Sequence, residues 1–169
     1  LRGGADGSAG ILEKLQNQAV QIAFEPGSTF KVVTAAAALE EGAFEPQTLI
    51  HCENGEFKLA NHRIRDHESA FSWLTLSQVI QNSSNIGIAK VGRKLGKETL
   101  YRYARAFGFG NTTGITLPGE SAGILRPVFQ WSDLSTSVIS FGQEIAVSAI
   151  QVACMLSAVA NGGELVKPW

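Results

Sequence analysis

The sequence has almost no excess of charge of either sign. Its 14 lysines and arginines nearly balance 15 aspartates and glutamates, which leaves a net charge of -1 over 169 residues. Proteins that bind nucleic acid or an anionic membrane surface usually carry a marked basic excess. The composition therefore gives no reason to expect a nucleic acid or an anionic membrane as a partner.

Long apolar runs and cysteines are also scarce. The most apolar stretch, residues 145–160, is interrupted by polar side chains and is shorter than the roughly 20 residues of a membrane span. We therefore expect the chain as given to be soluble. The two cysteines, Cys52 and Cys154, favour free buried thiols over a disulfide, because a domain of this size does not need a covalent cross-link.

The remaining composition is that of a folded domain rather than a disordered chain. Hydrophobic residues make up 44% of the sequence and charged residues 17%, which is enough apolar material for a core. The glycine-rich opening predicts a linker or tail over residues 1–16, followed by one partial domain over residues 17–169. No internal repeat is evident.

Helix formers, caps and glycine stops predict five or six helices and little strand. The Asn54-Gly55 pair predicts a β-hairpin turn within residues 47–66. The predicted helices cover residues 28–41, 75–82, 86–95, 97–107, 129–139 and 146–163. The last is apolar almost all round, as a central helix would be. The sequence therefore indicates a helix-dominated chain.

The stretch "EPGSTFK" raises the first question of chemistry. Ser28 could simply cap the helix that follows, with Lys31 an ordinary lysine one turn later. Alternatively, since residues three apart share a helix face, the Lys31 amine could reach and activate the Ser28 hydroxyl. Apolar neighbours would lower the pKa of Lys31, and the positive end of the helix would stabilise developing negative charge.

The stretch "NSSN", residues 82–85, gives a second polar group between two helices. Capping by Ser83 or Ser84 explains such a stretch in most proteins. Paired with Ser28 and Lys31, however, Ser83 could relay a proton and Asn85 could hold a substrate amide.

At this point the sequence resembles a known family. "EPGSTFK" followed by "SSN", together with "TAAAALEEG", "SSNIGIAKVG", "LPGE" and "FGQEIAVSAIQ", is similar to the transpeptidase domain of penicillin-binding proteins, of the monofunctional, class B-like kind. The similarity extends over about residues 17–168. It implies an α+β fold of the β-lactamase/transpeptidase type, to which this chain would contribute mostly helices and a few short strands.

The resemblance also implies a mechanism. Ser28 would be acylated by a peptidoglycan stem peptide or a β-lactam, with Lys31 as general base, Ser83 in proton transfer and Asn85 binding substrate. No metal or cofactor would be needed. The parent protein would be anchored on the outer face of the cytoplasmic membrane and would work with a glycan polymerase and with division or elongation proteins.

One family motif is missing from the sequence. No lysine after Asn85 is followed by Thr-Gly or Ser-Gly. We therefore expect this chain to lack a cleft strand and most of the central sheet. Whether the chain by itself is active or an inactive fragment stays open. Two other functions also stay open. A serine β-lactamase or D,D-carboxypeptidase would hydrolyse the acyl group, and a non-catalytic penicillin-binding or sensor module would keep the fold without turnover.

Two weaker groups of residues complete the candidates. His51, His62 and His67, with Cys52 and Asp66 nearby, fit no zinc spacing well and are better explained as a solvated loop. Large aromatic side chains are interpreted as core or cleft wall rather than as cofactor platforms; they are Trp73, Phe107, Phe109 and Trp131. "GFGNTTG" lacks the strand-turn-helix context of a phosphate-binding loop.

Overall fold

The computed structural model of the chain describes residues 16–59, 61–67 and 70–169. Of the linker predicted over residues 1–16, only Gln16 belongs to the described residues. No helix among those described is long and apolar enough to cross a membrane.

Helices dominate the described residues. The α-helices are α1 (Gln18–Gln21), α2 (Lys31–Glu40), α3 (Leu76–Gln81), α4 (Asn85–Leu95), α5 (Lys97–Ala106), α6 (Asp133–Ile139) and α7 (Ala149–Ala160). Short 3-10 turns cover Gly27–Phe30, Glu53–Gly55 and Val128–Gln130. The prediction of a helix-dominated chain is confirmed, although the predicted helix over 129–139 is split into a 3-10 turn and α6.

Polar side chains fix where several of these helices begin. Thr75 and Ser148 each form a reciprocal capping box, with Gln78 and Gln151 respectively, at the starts of α3 and α7. Ser84 accepts a hydrogen bond from the backbone nitrogen of Gly87 and so caps α4. Of the two serines that could begin this helix, Ser84 is therefore the cap, which leaves the side chain of Ser83 free for other contacts.

Within the described residues, the strands form three antiparallel pairs. Strand β1 (Ala23–Phe24) pairs with β6 (Val147–Ser148), β2 (Leu49–His51) with β5 (Trp73–Thr75), and β3 (Glu56–Leu59) with β4 (His62–Arg65). A few short strands beside many helices match the prediction for this chain.

The predicted hairpin turn at Asn54-Gly55 is wrong. Asn54 does adopt a left-handed conformation, with φ of 53°, but the strands on either side of it do not pair with each other. Burial decides the pairing, because Ile50 lies opposite Leu74 and both are about 6% exposed. The hairpin instead joins Leu59 to His62.

Two apolar clusters hold the elements together. The first lies between α3, α4 and the β2–β5 pair and includes Ile50, Val79 and Ile88. The second lies between α2, α5, α6 and α7 and includes Phe30 and Phe109, whose ring centroids are 5.5 Å apart. Phe30 is fully buried, so the residue two positions after Ser28 fixes the Ser28 turn to the second cluster.

Helix α7 is less buried than its apolar sequence predicts. Met155 and Ala158 face the second cluster or its edge, whereas Leu156 is 46% exposed and Val159 is 51% exposed. The remaining elements of the described chain cover only one side of this helix. The other side therefore presents an apolar stripe to solvent.

Cys52 and Cys154 are free thiols, and both are buried. This confirms the interpretation from sequence. Among the aromatic side chains, Phe109 and Trp131 are buried, but Trp73 is 58% exposed and stacks against His51. Trp73 is therefore not a core residue.

Candidate active site

Ser28 lies in a 3-10 turn rather than at a helix cap. The turn Gly27–Phe30 follows the buried Pro26, and the hydroxyl of Thr29 donates to the carbonyl of Pro26. Helix α2 begins at Lys31 and has no side-chain cap. The capping function considered for Ser28 is thus not observed, and its exposed hydroxyl is available for other contacts.

Lys31 is the buried cation of the site. Only 2% of the residue is exposed. Its Nζ donates to the carbonyl oxygen of Ser83 at 2.5 Å and to Ser83 Oγ at 2.8 Å. A buried ammonium or amine needs such partners, because an unpaired one costs several kcal/mol or changes its protonation.

Ser83 connects Lys31 to Ser28. Its hydroxyl donates to Ser28 Oγ at 3.0 Å, so the hydrogen bonds run from Lys31 through Ser83 to Ser28. Sequence spacing predicted a direct approach of Lys31 to Ser28. In the described part of the chain the two residues are linked through Ser83 instead.

The backbone at Ser83 is unusual. Ser83 has φ of 53°, the left-handed region that non-glycine residues rarely adopt. Its nitrogen still donates to the carbonyl of Ile80 at the end of α3, and Ser84 begins α4. This tight junction turns both the carbonyl and the hydroxyl of Ser83 towards Lys31. Such local strain often occurs at functional sites, and here it positions two oxygen atoms at once.

Burial lowers the pKa of Lys31 to about 8, while the nearby carboxylate of Asp66 acts in the opposite direction. A free lysine has a pKa of about 10.4. Near neutral pH a useful fraction of Lys31 is therefore the neutral amine, which can accept a proton. The arrangement combines a hydroxyl, a relay hydroxyl and a base of suitable pKa, as nucleophilic catalysis requires.

Asn85 lies beside this chain of hydrogen bonds. Its side-chain amide donates to the carbonyl of Arg65 at 3.1 Å, and it lines an open groove of about 770 Å³. Glu25 and Gln143 line the same groove. The groove reaches from Asn85 at the start of α4 to Glu25, three residues before Ser28, so it offers room for an extended ligand near Ser28.

Sequence reasoning missed three residues that build this site. Asp66 accepts hydrogen bonds at the start of α4, although its sequence context predicted a solvated loop. Glu25 accepts from the backbone nitrogen of Glu144 at 2.9 Å, and Gly142 contacts Gly27. Each contact joins segments that are far apart in sequence. The family-like stretches "EPGS" and "FGQE", which contain Glu25 and Gly142, were the only sequence signal for these residues.

The histidines do not gather in the structure. His51 stacks on Trp73 and lies 3.4 Å from a Glu53 carboxylate, while His62 and His67 line the open groove. Among residues 16–59, 61–67 and 70–169, no three His, Cys, Asp or Glu side chains are grouped so as to hold a metal.

Comparison with known proteins agrees with this geometry. The family model described as "Penicillin binding protein transpeptidase domain" matches residues 3–169. The chain belongs to this family. It is 39% identical over 155 residues to stage V sporulation protein D of Bacillus subtilis and 30% identical over 151 residues to the peptidoglycan D,D-transpeptidase FtsI of Escherichia coli K12. These alignments cover 91% and 89% of this chain but only 24% and 25% of those relatives.

Solved structures show the same fold. The chain matches the transpeptidase domain of penicillin-binding protein 3 from Burkholderia pseudomallei with a TM-score of 0.87 and 36% identity. It matches a peptidoglycan glycosyltransferase from Burkholderia ambifaria with a TM-score of 0.88 and 33% identity. The matches cover 90% and 92% of this chain, and 46% and 49% of those chains. The chain thus has the helix-rich part of an α+β transpeptidase fold.

Proposed function

We propose that the protein is a peptidoglycan D,D-transpeptidase that is acylated on Ser28 and binds penicillins covalently at the same residue. The observation that carries the proposal is the hydrogen-bonded series Ser28–Ser83–Lys31, in which a buried lysine with a pKa of about 8 is joined to an exposed serine hydroxyl. The names of the relatives support peptidoglycan as the substrate class.

In the proposed mechanism Lys31 acts as the neutral amine. The hydroxyl hydrogens of the two serines reorient, so that Ser28 donates to Ser83 and Ser83 donates to the Lys31 nitrogen. Ser28 Oγ attacks the carbonyl carbon of the terminal peptide bond as its proton passes through Ser83 to Lys31. The carbon–nitrogen bond then breaks, and the leaving D-alanine amine takes a proton from Lys31. The amine of a second stem peptide then attacks the acyl carbon and gives a proton to Lys31; the bond between that carbon and Ser28 Oγ breaks, and Ser28 Oγ regains a proton from Lys31 through Ser83. The new amide bond is the cross-link.

The side chain of Asn85 is the proposed substrate contact. It lies at the groove beside Ser83, where an amide could hydrogen-bond to the stem-peptide backbone. The proposal involves no metal or cofactor. The whole protein would act outside the cytoplasmic membrane, on an N-terminal anchor, together with a glycan polymerase and division or elongation proteins.

Intact-mass analysis after incubation with benzylpenicillin tests the proposal. We expect one penicillin adduct that is absent in Ser28→Ala and present in Ser157→Ala, a control at an exposed serine of α7. The same measurement is made on this chain and on a chain extended through a Lys-Thr-Gly or Lys-Ser-Gly motif. Absence of the adduct from both would overturn the proposal.

The lifetime of the adduct separates the alternative functions. A persistent adduct, with D-alanine released from a stem peptide in exchange for an added amine, is the transpeptidase result. Rapid loss of the adduct with release of penicilloate would instead indicate a β-lactamase. Release of D-alanine without amine transfer would indicate a carboxypeptidase. Acylation by penicillin without any turnover of the stem peptide would indicate a sensor module.

A further inference from the structure

Asp66 makes three hydrogen bonds to the segment that carries Ser83. Its Oδ1 accepts from the backbone nitrogens of Asn85 at 2.6 Å and Ile86 at 3.0 Å, and its Oδ2 accepts from Ser84 Oγ at 2.9 Å. The free N–H groups of a helix start favour a carboxylate both as an acceptor and as a negative charge. Asp66 therefore binds the start of α4 from outside that helix.

The β3–β4 hairpin holds Asp66 in place. Ile64, two residues earlier, is 5% exposed and lies in the first apolar cluster. The carbonyl of Arg65 also accepts from the Asn85 side chain at 3.1 Å, so the start of α4 donates hydrogen bonds both to the last residue of the hairpin and to Asp66. The position of the Asp66 carboxylate is thus set by a packed strand.

This arrangement affects Ser83 directly. Ser83 precedes the Asp66-bound residues and occupies a left-handed conformation that its neighbours must enforce. The two oxygen atoms that receive the Lys31 amine both belong to Ser83. Any loosening at the start of α4 would therefore be passed to the contact between Ser83 and Lys31.

We propose that Asp66 is a positioning residue of the active site, whose carboxylate fixes Ser83 for Lys31 and places a negative charge at the start of α4. The inference rests on the proposed function for its catalytic meaning, but the effect on Lys31 can be measured without catalysis. Burial lowers the pKa of Lys31 and Asp66 raises it. Asp66 thus keeps the base from becoming too weak.

Other charged and titratable groups surround Asp66. Arg65 and His67 adjoin it in the chain, Cys52 lies behind Ser84, and the acidic side chains across the groove are Glu25 and Glu144. Glu53 and Lys90 form an ion pair that also acts on the Cys52 thiol. The charge of Asp66 raises the pKa of Lys31. Removing the charge of Asp66 by substitution therefore tests the proposal.

The test measures the ionisation of Lys31 by NMR in protein labelled with 13C at lysine Cε. The signal of Lys31 is the one that is absent in Lys31→Met. In Asp66→Asn the amide oxygen can still accept from the start of α4, but the charge is gone. We expect the titration midpoint of Lys31 to move to lower pH than in the wild-type chain. Asp133→Asn, which removes a carboxylate from the first turn of α6, should leave the midpoint unchanged.

Two further variants keep the test decisive. Asp66→Ser is also neutral and retains one oxygen acceptor, so it should lower the Lys31 midpoint as Asp66→Asn does. It replaces Asp66→Asn if the Asp66→Asn protein does not fold. Asp66→Glu restores the charge and should return the midpoint towards the wild-type value. A midpoint in folded Asp66→Asn or Asp66→Ser that equals or exceeds the wild-type midpoint would overturn the inference.

The rate of penicillin acylation gives the second readout. In the acylating chain, the pH of half-maximal acylation should fall in Asp66→Asn together with the Lys31 midpoint. A role confined to folding would lower the melting temperature without moving this profile. If Ser28 is never acylated while the Lys31 midpoint still shifts, the proposed function is wrong and the inference about Asp66 stands.

Discussion

The backbone nitrogen of Gly27 donates a 3.1 Å hydrogen bond to the carbonyl of Gly142. Gly27 adjoins Ser28, and both glycines adopt left-handed conformations, with φ of 55° and 81°. A Cβ atom on Gly142 would lie 2.2 Å from the carbonyl oxygen of Gly27 and 2.6 Å from its nitrogen. The segment "FGQE" therefore sets the position of the turn that carries Ser28.

Gly142→Ala should misplace Ser28. Because the atoms that a new methyl group would meet belong to the Gly27 backbone, the turn itself must move. A displacement of about 1 Å can reduce the rate about a hundredfold, and we expect a loss of penicillin acylation of that order. Stopped-flow measurement of the acylation rate checks it.

Gly162→Ala is the matched control for that substitution. Gly162 also has a positive φ, 90°, but a Cβ atom there would have no heavy atom within 4 Å. The control therefore introduces similar backbone strain without the clash. Equal acylation rates in both variants would show that strain alone, and not the contact with Gly27, accounts for any effect.

Ser83→Ala should slow acylation while leaving Lys31 buried. The substitution removes the hydroxyl between Lys31 and Ser28, but the Ser83 carbonyl remains as a partner for the lysine. Loss of a positioned proton-transfer group costs about 10²- to 10⁴-fold, and we expect a decrease in that range. Ser77→Ala, at an exposed position of α3, should acylate at the wild-type rate. A wild-type rate in Ser83→Ala would rule out the relay.

The rate of acylation should rise with pH and level off above about pH 8. Neutral Lys31 is the active form, and its pKa is lowered to about 8. At pH 6 roughly one molecule in a hundred would carry the neutral amine, against about half at pH 8. Acylation by a fluorescent penicillin, measured from pH 6 to 9.5, gives the profile. A rate that is independent of pH over this range would exclude Lys31 as the base.

Gly92→Ala should destabilise the fold although alanine is the better helix former. A Cβ atom at Gly92 would lie 1.7 Å from Ser140 Oγ, where α4 crosses the end of α6. Overpacking typically costs about 1–3 kcal/mol, against a gain of about 1 kcal/mol in helix propensity. We expect a melting temperature several degrees lower, with partial recovery in the double variant Gly92→Ala/Ser140→Gly. A higher melting temperature in the single variant would contradict the close approach.

Local patterns in the sequence predicted much of this molecule. Helix starts at Thr75, Ser84 and Ser148 follow from capping residues within one turn, so α3, α4 and α7 were largely predicted. The proposal for Ser28 and Lys31 could also be made from the sequence, because their spacing is local. What failed depends on distant partners. The pairing of β2 with β5 is decided by burial of Ile50 against Leu74, which no turn signal records.

The same distinction applies to the site. The relay through Ser83 rests on its left-handed backbone, and the carboxylate of Asp66 was assigned to a solvated loop because its partners lie at the start of α4. Neither fact follows from residue type or spacing. The spacing of Ser28 and Lys31 in the sequence was enough to propose the chemistry, whereas the contacts that orient these residues required the folded chain.

The pairing of β1 with β6 has a consequence for synthesis on the ribosome. Ala23 lies opposite Ser148, so the strand just before Ser28 is completed by residues made much later. Helix α2 can form early. Pairing β1 with β6, however, closes a loop of more than a hundred residues, and the loss of chain entropy is offset only when β6 has been synthesised. A nascent chain that ends before Gly142 would thus contain helix α2 without the contacts that hold the turn carrying Ser28. That turn would reach its final geometry only after residues 142–148 have been synthesised.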